Sequence, residues 1–303
     1  MPGEIRPGCR LCPRNCGVDR SRNAGVCKAG DAPVVARAAL HYWEEPCISG
    51  KRGSGAVFFS GCALHCVYCQ NRIISDGVKG QEISTERLVE IFFELEAEGA
   101  ENINLVTGDH FIPHIAEALA DARKKGFYKP FIFNCSGYEK VESLRRLEGL
   151  IDVFLPDFKY YDPLLSKKYS AAYDYPEVAK KAIDEMVRQK PLCVFDQEGM
   201  IKSGVIVRNL LLPGNVSNSK KIIKYLHEKY GEDIYISILS QYTPQEDTAG
   251  LYPELSRRVK KSEYDRLIDY AIKLGIENAF IQDMSSANES FIPDFDGKGV
   301  LRK

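Results

Sequence analysis

Residues 56–69 have the sequence Ala56-Val-Phe-Phe-Ser-Gly-Cys62-Ala-Leu-His-Cys66-Val-Tyr-Cys69, in which a short apolar run leads into three cysteines. The run is typical of a buried strand, so the cysteine loop is predicted to follow the C-terminal end of that strand. Parallel α/β folds place their chemistry at this end. Three thiolates on one loop can bind three irons of a cubane and leave the fourth open. The spacing therefore predicts a [4Fe–4S] cluster on Cys62, Cys66 and Cys69.

A structural zinc ion is the alternative interpretation of this loop. Zinc closes its tetrahedral shell with nitrogen and sulfur ligands, so His65 or a distant cysteine would supply the fourth ligand. The position of the loop after a strand favours the cluster.

A second group of cysteines lies nearer the N-terminus, at Cys9, Cys12, Cys16 and Cys27. A segment this short and rich in glycine cannot bury enough apolar surface alone, and a bound metal would supply its folding energy. Zinc ribbons usually pair their ligands as two CxxC units, whereas this group is three plus one. We expect a small metal-binding knuckle that holds either an auxiliary iron–sulfur cluster or zinc.

Three further cysteines stand alone. Cys135 and Cys193 are expected to be small buried hydrophobic residues. Cys47 lies in the polar, aromatic stretch Trp43-Glu-Glu-Pro-Cys47-Ile-Ser-Gly50, where a substrate-facing thiol is a second interpretation.

The composition is that of an ordinary globular protein. The 303 residues are 44% hydrophobic and 27% charged, with a formal net charge of -1, which does not suggest disorder or a polyanionic partner. The N-terminus lacks an apolar signal-like region, and no apolar stretch approaches the roughly 18 residues that cross a bilayer. We expect no membrane partner and a cytoplasmic location, where thiols stay reduced.

Strand and helix patterns alternate along the rest of the chain. Ser84 is predicted to cap a helix that ends near Gly99, with Ile83 and Leu88 as its hydrophobic staple. The further predicted strands are 102–107, 131–134, 152–155, 205–212, 234–239 and 279–282, and the further predicted helices lie within 113–125, 139–147, 163–189, 219–230 and 263–274. About seven parallel strands predict an α/β fold with a partial or open (β/α) barrel over residues 53–303, after a metal-binding extension over residues 1–52.

Polar residues follow the ends of these strands. Taken singly, each is explained by a helix cap, a solvated ion pair or a buried arginine stem. Together they predict a ring that binds a polar ligand. The ring consists of Thr107, Gly108, Asp109, His110, Asn134, Ser136, Tyr138, Asp157, Lys159, Arg208, Asn209, Gln241 and Tyr242.

At this point the chain resembles the radical S-adenosylmethionine (SAM) superfamily, and within it the pyruvate formate-lyase-activating-enzyme-like branch that carries an N-terminal cysteine segment. The CxxxCx-aromatic-C element is specific to the superfamily. The branch is indicated by Tyr-Trp-Glu-Glu-Pro-Cys-Ile-Ser-Gly, Asn134-x-Ser-Gly-Tyr138, Leu-Pro-Asp157-Phe-Lys159-Tyr, Arg208 before Leu-Leu-Leu-Pro-Gly214, and Gln241-Tyr242-Thr-Pro.

The resemblance implies a role for each matching residue. SAM would chelate the open iron of the cluster, with Tyr68 beside its adenine. Thr107, Gly108 and Asp109 occupy the place of the motif that receives the SAM amino group. Asp157 and Lys159 match the DxK element of the activating enzymes and are the implied catalytic residues. The other implied cofactor contacts are Asn134, Ser136 and Arg208, with Arg208 near the SAM carboxylate or ribose.

The chain departs from the branch in two ways. Thr107-Gly-Asp-His110 replaces the double-glycine-glutamate form common in the superfamily. The extra cysteines precede the radical SAM loop, whereas activating enzymes with auxiliary clusters carry them as an insert after that loop. Family membership therefore does not fix the substrate.

Three functions stay open at this stage. The first is hydrogen abstraction from a protein or peptide backbone, as in glycyl-radical-enzyme activation, with a low-potential donor such as flavodoxin or ferredoxin. The second is radical modification of a small molecule, peptide or RNA, in which the Cys9–Cys27 knuckle donates electrons or docks the substrate. Residues 1–52 carry nine Lys/Arg against five Asp/Glu, a charge that would allow contact with a polyanion. The third is a non-enzymatic zinc-binding module.

Overall fold

The computed structural model describes residues 8–282 and 293–302, which leaves residues 1–7 of the predicted extension outside the described part. Ten strands form one sheet in the order β10-β9-β8-β6-β5-β4-β2-β1-β3, with β7 added beside β8. The strands are β1 Val34–His41, β2 Ser54–Phe59, β3 Gln81–Glu82, β4 Ile103–Val106, β5 Phe131–Cys135, β6 Val153–Pro156, β7 Val194–Phe195, β8 Ile201–Leu210, β9 Tyr235–Leu239 and β10 Ala279–Ile281.

Ten α-helices occur among the described residues and mostly connect these strands. They are α1 Pro46–Ser49, α2 Arg72–Ser75, α3 Thr85–Ala97, α4 Ile112–Lys124, α5 Val141–Leu144, α6 Pro163–Ser170, α7 Tyr175–Gln189, α8 Val216–Tyr230, α9 Glu246–Leu251 and α10 Lys261–Lys273. No helix in the described part is long and apolar enough to cross a membrane.

The parallel part of the sheet confirms the predicted fold class. Seven strands, β2, β4, β5, β6, β8, β9 and β10, pair in parallel and in chain order. The sheet is open, because its path runs from β10 to β3. Every residue of β2, β4, β5 and β6 is buried, as expected for strands covered on both faces. The carboxyl ends of these strands therefore meet along one edge.

Residues at the two ends of α3 determine where this first long helix begins and ends. The Ser84 side chain accepts a hydrogen bond from the Arg87 N–H at 3.1 Å, which satisfies one of the free donors at the start of α3. The helix ends at Ala97, and Gly99 follows with a φ of 96°. This confirms the predicted cap and end of the helix.

The N-terminal part joins the sheet through β1, a strand that the sequence analysis did not predict. β1 pairs antiparallel with β2, with Ala38 opposite Val57. Residues 8–33 before it consist of turns and bends. The domain boundary at residue 52 stays a prediction, and β1 lies on its N-terminal side within the same sheet.

Candidate active site

The cysteine loop, residues 61–69, opens onto a cavity at the carboxyl edge of the parallel strands. Gly61 turns the chain out of β2 with a φ of 90°. Cys62, Cys66 and Cys69 line the cavity, whose volume is about 230 Å³. The Leu64 N–H lies 3.3 Å from the Cys62 sulfur, and the Ser170 hydroxyl donates to the Cys66 sulfur at 3.1 Å. The three predicted ligands therefore share one space.

The spacing of these thiols fits a cluster better than a single ion. Thiolates on one zinc ion, each about 2.3 Å from it, lie about 3.8 Å apart. Thiolates on separate corners of a cubane lie further apart. Among the described residues, no three cysteine or histidine ligand atoms lie within 4.8 Å of one another. The residues fit a [4Fe–4S] cluster on Cys62, Cys66 and Cys69.

His65 does not act as a fourth ligand in this arrangement. Its Nε2 lies 2.8 Å from the Val26 carbonyl oxygen, and its Nδ1 lies 3.3 Å from a carboxylate oxygen of Asp76. Both ring nitrogens are thus engaged, which counts against the zinc interpretation of the loop.

Seven of the thirteen predicted strand-end residues lie on the wall of the same cavity, whereas Gly108, Asp109, His110, Tyr138, Asn209 and Tyr242 do not. This juxtaposition follows from the parallel sheet, whose strand ends converge. The wall includes Tyr68, Thr107, Asn134, Ser136, Asp157, Lys159, Arg208 and Gln241. Their individual contacts with a cofactor stay predictions.

An ion pair at the end of β6 faces the thiols. Lys159 Nζ lies 2.5 Å from Asp157 Oδ2. Burial lowers the pKa of Lys159, but the Asp157 carboxylate and the Cys66 thiol outweigh it, so that the pKa stands above its usual value. The Lys159 N–H also donates to the Tyr175 hydroxyl at 2.9 Å. The cavity wall therefore holds a fixed positive charge beside its sulfur atoms.

Tyr68 sits in an aromatic cluster next to the cysteine loop. Its ring centroid lies 6.3 Å from Tyr160, 6.2 Å from Tyr169 and 6.3 Å from Tyr242, in each case edge to face. The side chain is 5% exposed. Packing on several sides gives this part of the wall a rigid apolar surface.

Gly108 and Asp109 do not line the cavity wall, unlike the other predicted cofactor residues. A Cβ on Gly108 would lie 2.4 Å from Ile115 Cδ1, so the glycine permits close packing of α4. Asp109 is 2% exposed and lies against Cys135 and Glu139, with ligand atoms of all three within 4.8 Å. Thr107, before them, has a φ of 59°.

The Asp109 and Glu139 carboxyls form a buried pair. The Ser136 hydroxyl and the Tyr138 N–H each donate to Glu139 Oε1 at 3.0 Å. Burial raises the pKa of Asp109 well above its usual value and that of Glu139 to about 7. Two buried acids this close do not both ionise, so at least one of the two carboxyls is protonated at neutral pH. The sequence analysis missed Glu139, whose only signal was its place after the strand-end Ser136.

Arg208 lies on the cavity wall but is already engaged by two carboxylates. Its Nε lies 2.8 Å from Glu45 Oε1, and its guanidinium also contacts Glu44. Asn104 Nδ2 donates to Glu44 at 2.8 Å. Burial lowers the pKa of Arg208, but both glutamates raise it well above its usual value. The sequence analysis quoted the Glu-Glu-Pro stretch without assigning these side chains to the site.

Cys47 and Cys193 lie away from the cavity. Cys47 is buried in a small core cluster that includes Ile48 and Ile132, and Cys193 packs against the same cluster. Cys135 is also buried, and it contributes to the cavity wall.

A family comparison identifies the domain that this geometry suggests. Residues 56–195 match the model of the radical SAM superfamily. The match begins in β2, includes the cysteine loop and the Asp157–Lys159 pair, and ends in β7. Residues 56–195 are therefore similar to a radical SAM domain, and enzymes with such a domain use a [4Fe–4S] cluster and SAM.

Several individual proteins are similar to the chain. An uncharacterized protein of Methanocaldococcus jannaschii is 26% identical over 281 residues, which are 90% of this chain and 77% of that protein. A domain of pyruvate-formate lyase-activating enzyme from Bacteroides vulgatus superposes with a TM-score of 0.45 and 14% identity, covering 61% of this chain and 100% of that chain. Methylornithine synthase superposes with a TM-score of 0.49 and 15% identity, covering 73% and 60%. The family match, not these distant structures, identifies the domain.

Proposed function

We propose that this chain is a radical SAM enzyme that abstracts a hydrogen atom from a protein or peptide backbone, as glycyl-radical-activating enzymes do. The single observation that carries the radical chemistry is that Cys62, Cys66 and Cys69 share one cavity with the polar strand ends. The finer assignment of the substrate is supported by the sequence element Asp157-Phe-Lys159, which resembles the activating enzymes.

The three thiolates would hold the cluster and leave one iron open toward the cavity. With SAM bound, such a cluster would supply the electron for reductive cleavage of SAM and thereby the means of removing a hydrogen atom from the substrate. The electron would come from a low-potential donor such as flavodoxin or ferredoxin.

The surrounding residues would bind and orient SAM. The Lys159 ammonium is suited to a carboxylate, and Asp157 fixes its position through their 2.5 Å contact. Asn134 and Ser136, at the end of β5, offer polar groups to the amino acid part of SAM. The aromatic cluster around Tyr68 would exclude water from the adenine side.

Metal analysis and SAM cleavage test the radical chemistry. Anaerobically reconstituted protein with SAM and dithionite should release 5'-deoxyadenosine, and Cys62→Ala should abolish this release. Cys193→Ala is the matched control, because that thiol lies outside the cavity, and it should keep the activity. Zinc without iron in the purified protein, or cleavage by the Cys62→Ala variant, would refute the proposal.

Electron paramagnetic resonance tests the substrate class. The reduced enzyme, SAM and a glycyl-radical enzyme from the same organism should give an organic radical on the added protein. Release of 5'-deoxyadenosine without any radical on the added protein would reject the glycyl-radical assignment and leave the cleavage chemistry intact.

A further inference from the structure

The four N-terminal cysteines, Cys9, Cys12, Cys16 and Cys27, form a second group that we call the cysteine quartet. Three of them are buried, at 6%, 8% and 6% exposure for Cys9, Cys12 and Cys27. Residues 8–33 around them have neither helix nor strand. Backbone hydrogen bonds hold the turn, from Cys9 N–H to Val18 O at 2.9 Å and from Gly17 N–H to Cys9 O at 3.0 Å. Sulfur atoms, not an apolar core, occupy the centre of this segment.

The quartet sulfurs lie near one another around Gly25. A Cβ placed on Gly25 would lie 3.3 Å from the Cys27 sulfur and 3.5 Å from the Cys16 sulfur, so glycine leaves this space open. Burial raises the pKa of Cys12 to about 11, and the Cys27, Cys9 and Cys16 thiols lie near enough to add to this rise. Four thiol ligands therefore converge in a segment that has little else to fold around.

The separation of these sulfurs distinguishes a cluster from a zinc ion. Four thiolates on zinc would all lie about 3.8 Å apart. Within residues 8–282, no three quartet sulfurs lie within 4.8 Å of one another. The same is true of Cys62, Cys66 and Cys69, the predicted cluster ligands. The quartet therefore lacks the arrangement of four thiolates on a single zinc ion, and its three-plus-one spacing in the sequence also differs from the paired CxxC units of zinc ribbons.

The quartet is docked directly on the cysteine loop. The Cys62 N–H donates to the Cys27 carbonyl oxygen at 3.0 Å, which joins a ligand of one site to a ligand of the other. A Cβ on Gly61 would lie 2.5 Å from that same oxygen, so only glycine allows this approach. The Arg14 guanidinium donates to the Ala63 carbonyl at 2.8 Å and to the Ser170 carbonyl at 2.7 Å.

We infer that the quartet binds a second [4Fe–4S] cluster, with one cysteine on each iron, and that this cluster passes electrons to the one on Cys62, Cys66 and Cys69. The inference rests on the proposed function for its electron acceptor. All four irons have a protein ligand, so the second cluster has no open position for SAM. The Cys27–Cys62 hydrogen bond gives a short backbone connection between the two sites.

The transfer is a balanced one-electron step. A reduced protein of the flavodoxin or ferredoxin class gives one electron to the quartet cluster, which changes from the 2+ to the 1+ state. That electron then reduces the other cluster from 2+ to 1+, and the quartet cluster returns to 2+. No atom or proton moves. Arg10 and Lys28 are exposed beside the quartet and suit a donor with an acidic surface.

The metal content of a triple variant tests the second cluster. The full-length Cys62→Ala/Cys66→Ala/Cys69→Ala protein, reconstituted anaerobically with iron and sulfide, should keep about four irons and no zinc. After reduction it should show the paramagnetic signal of a single cluster. One zinc ion with no iron, or no metal at all in this variant, would overturn the inference whether or not the wild-type protein cleaves SAM.

A quartet variant tests the electron path. Cys12→Ser/Cys16→Ser should keep four irons on the cysteine loop and be reduced by dithionite as fast as the wild type. Reduction of the loop cluster by photoreduced flavodoxin should slow at least tenfold, as measured by freeze-quench paramagnetic resonance. Equal rates with flavodoxin would overturn the relay.

If this variant does not fold, Gly25→Ala is measured in its place, because the added Cβ crowds the same sulfurs. Gly250→Ala is its control, because there is open space around that glycine.

Discussion

Arg208 Nε lies 2.8 Å from Glu45 Oε1 at the cavity wall, and the two residues are 163 positions apart in the chain. Glu45 is fully enclosed, and Glu44 shares the same guanidinium. The Arg208 guanidinium thus compensates the charge of both buried carboxylates, Glu44 and Glu45. Removing one partner of a buried ion pair leaves an uncompensated charge.

We therefore expect Arg208→Met to lower the free energy of unfolding by about 3–5 kcal/mol. Urea unfolding of the metal-free protein measures this loss. Arg52→Met is the matched control, because Arg52 pairs with Glu101 but is 59% exposed, and exposed pairs contribute at most about 1 kcal/mol. Equal losses in the two variants would contradict the prediction.

The buried Asp109–Glu139 pair makes stability depend on pH. The folded pair keeps a proton up to about pH 7, whereas the unfolded carboxyls release theirs near 4. The folded state therefore binds more protons in this interval, and stability falls as pH rises through it, by up to about 1.4 kcal/mol per pH unit.

Asp109→Asn should flatten this slope. The introduced amide cannot ionise, so Glu139 would be the only one of the two side chains that still takes up a proton on folding. Thermal unfolding between pH 4.5 and 7.5, relative to wild type, measures the change. Asp121→Asn, an exposed substitution of the same kind, should keep the wild-type slope. An unchanged slope for Asp109→Asn would show that Asp109 takes up no proton on folding.

Thr107 carries backbone strain at the end of β4. Its φ of 59° lies in the left-handed region, which a β-branched residue rarely adopts. Such strain costs the folded state about 1–3 kcal/mol. Glycine would avoid the strain, but its greater freedom in the unfolded chain would lower the stability by about 0.5–1 kcal/mol.

Thr107→Gly should therefore stabilise the fold by up to about 2 kcal/mol in urea unfolding. Thr107→Ala retains a Cβ and most of the strain, so it serves as the control. A glycine variant no more stable than the alanine variant would mean that the conformation is not strained.

Features that depend on residues close together in the chain were predictable from the sequence. The Ser84 cap, the start of α4 near Pro113 and the strand after Asn102 follow from residues within a few positions of each other. The seven parallel strands followed from the same local alternation. The cavity at the strand ends could then be predicted as well, because the carboxyl ends of parallel strands lie at the same edge of the sheet.

Features set by distant partners were not predictable. β1 has three apolar residues on each side of Arg37 instead of an alternating pattern, and its pairing with β2 fixes it as a strand. Glu139 becomes a site residue only because Asp109, thirty positions earlier, is buried beside it. Likewise, no local pattern around Glu44 and Glu45 indicates that Arg208 packs against them.

Ser170 offers a test of the cluster assignment through the reduction potential. Its hydroxyl donates to the Cys66 sulfur at 3.1 Å and also contacts the Tyr160 hydroxyl at 2.7 Å. A hydrogen bond to a ligand sulfur stabilises the reduced, more negative cluster and so raises its potential.

Ser170→Ala should therefore lower the potential of the loop cluster, by up to about 60 mV, the one-electron equivalent of about 1.4 kcal/mol. Redox titration followed by paramagnetic resonance measures the shift. Ser166→Ala is the matched control on the same helix, because the Ser166 hydroxyl donates to the Pro163 carbonyl instead of a thiol. A shift common to both variants would reflect general repacking of α6. A shift confined to Ser170→Ala would place a redox-active cluster on Cys66, because only that sulfur loses its hydrogen bond.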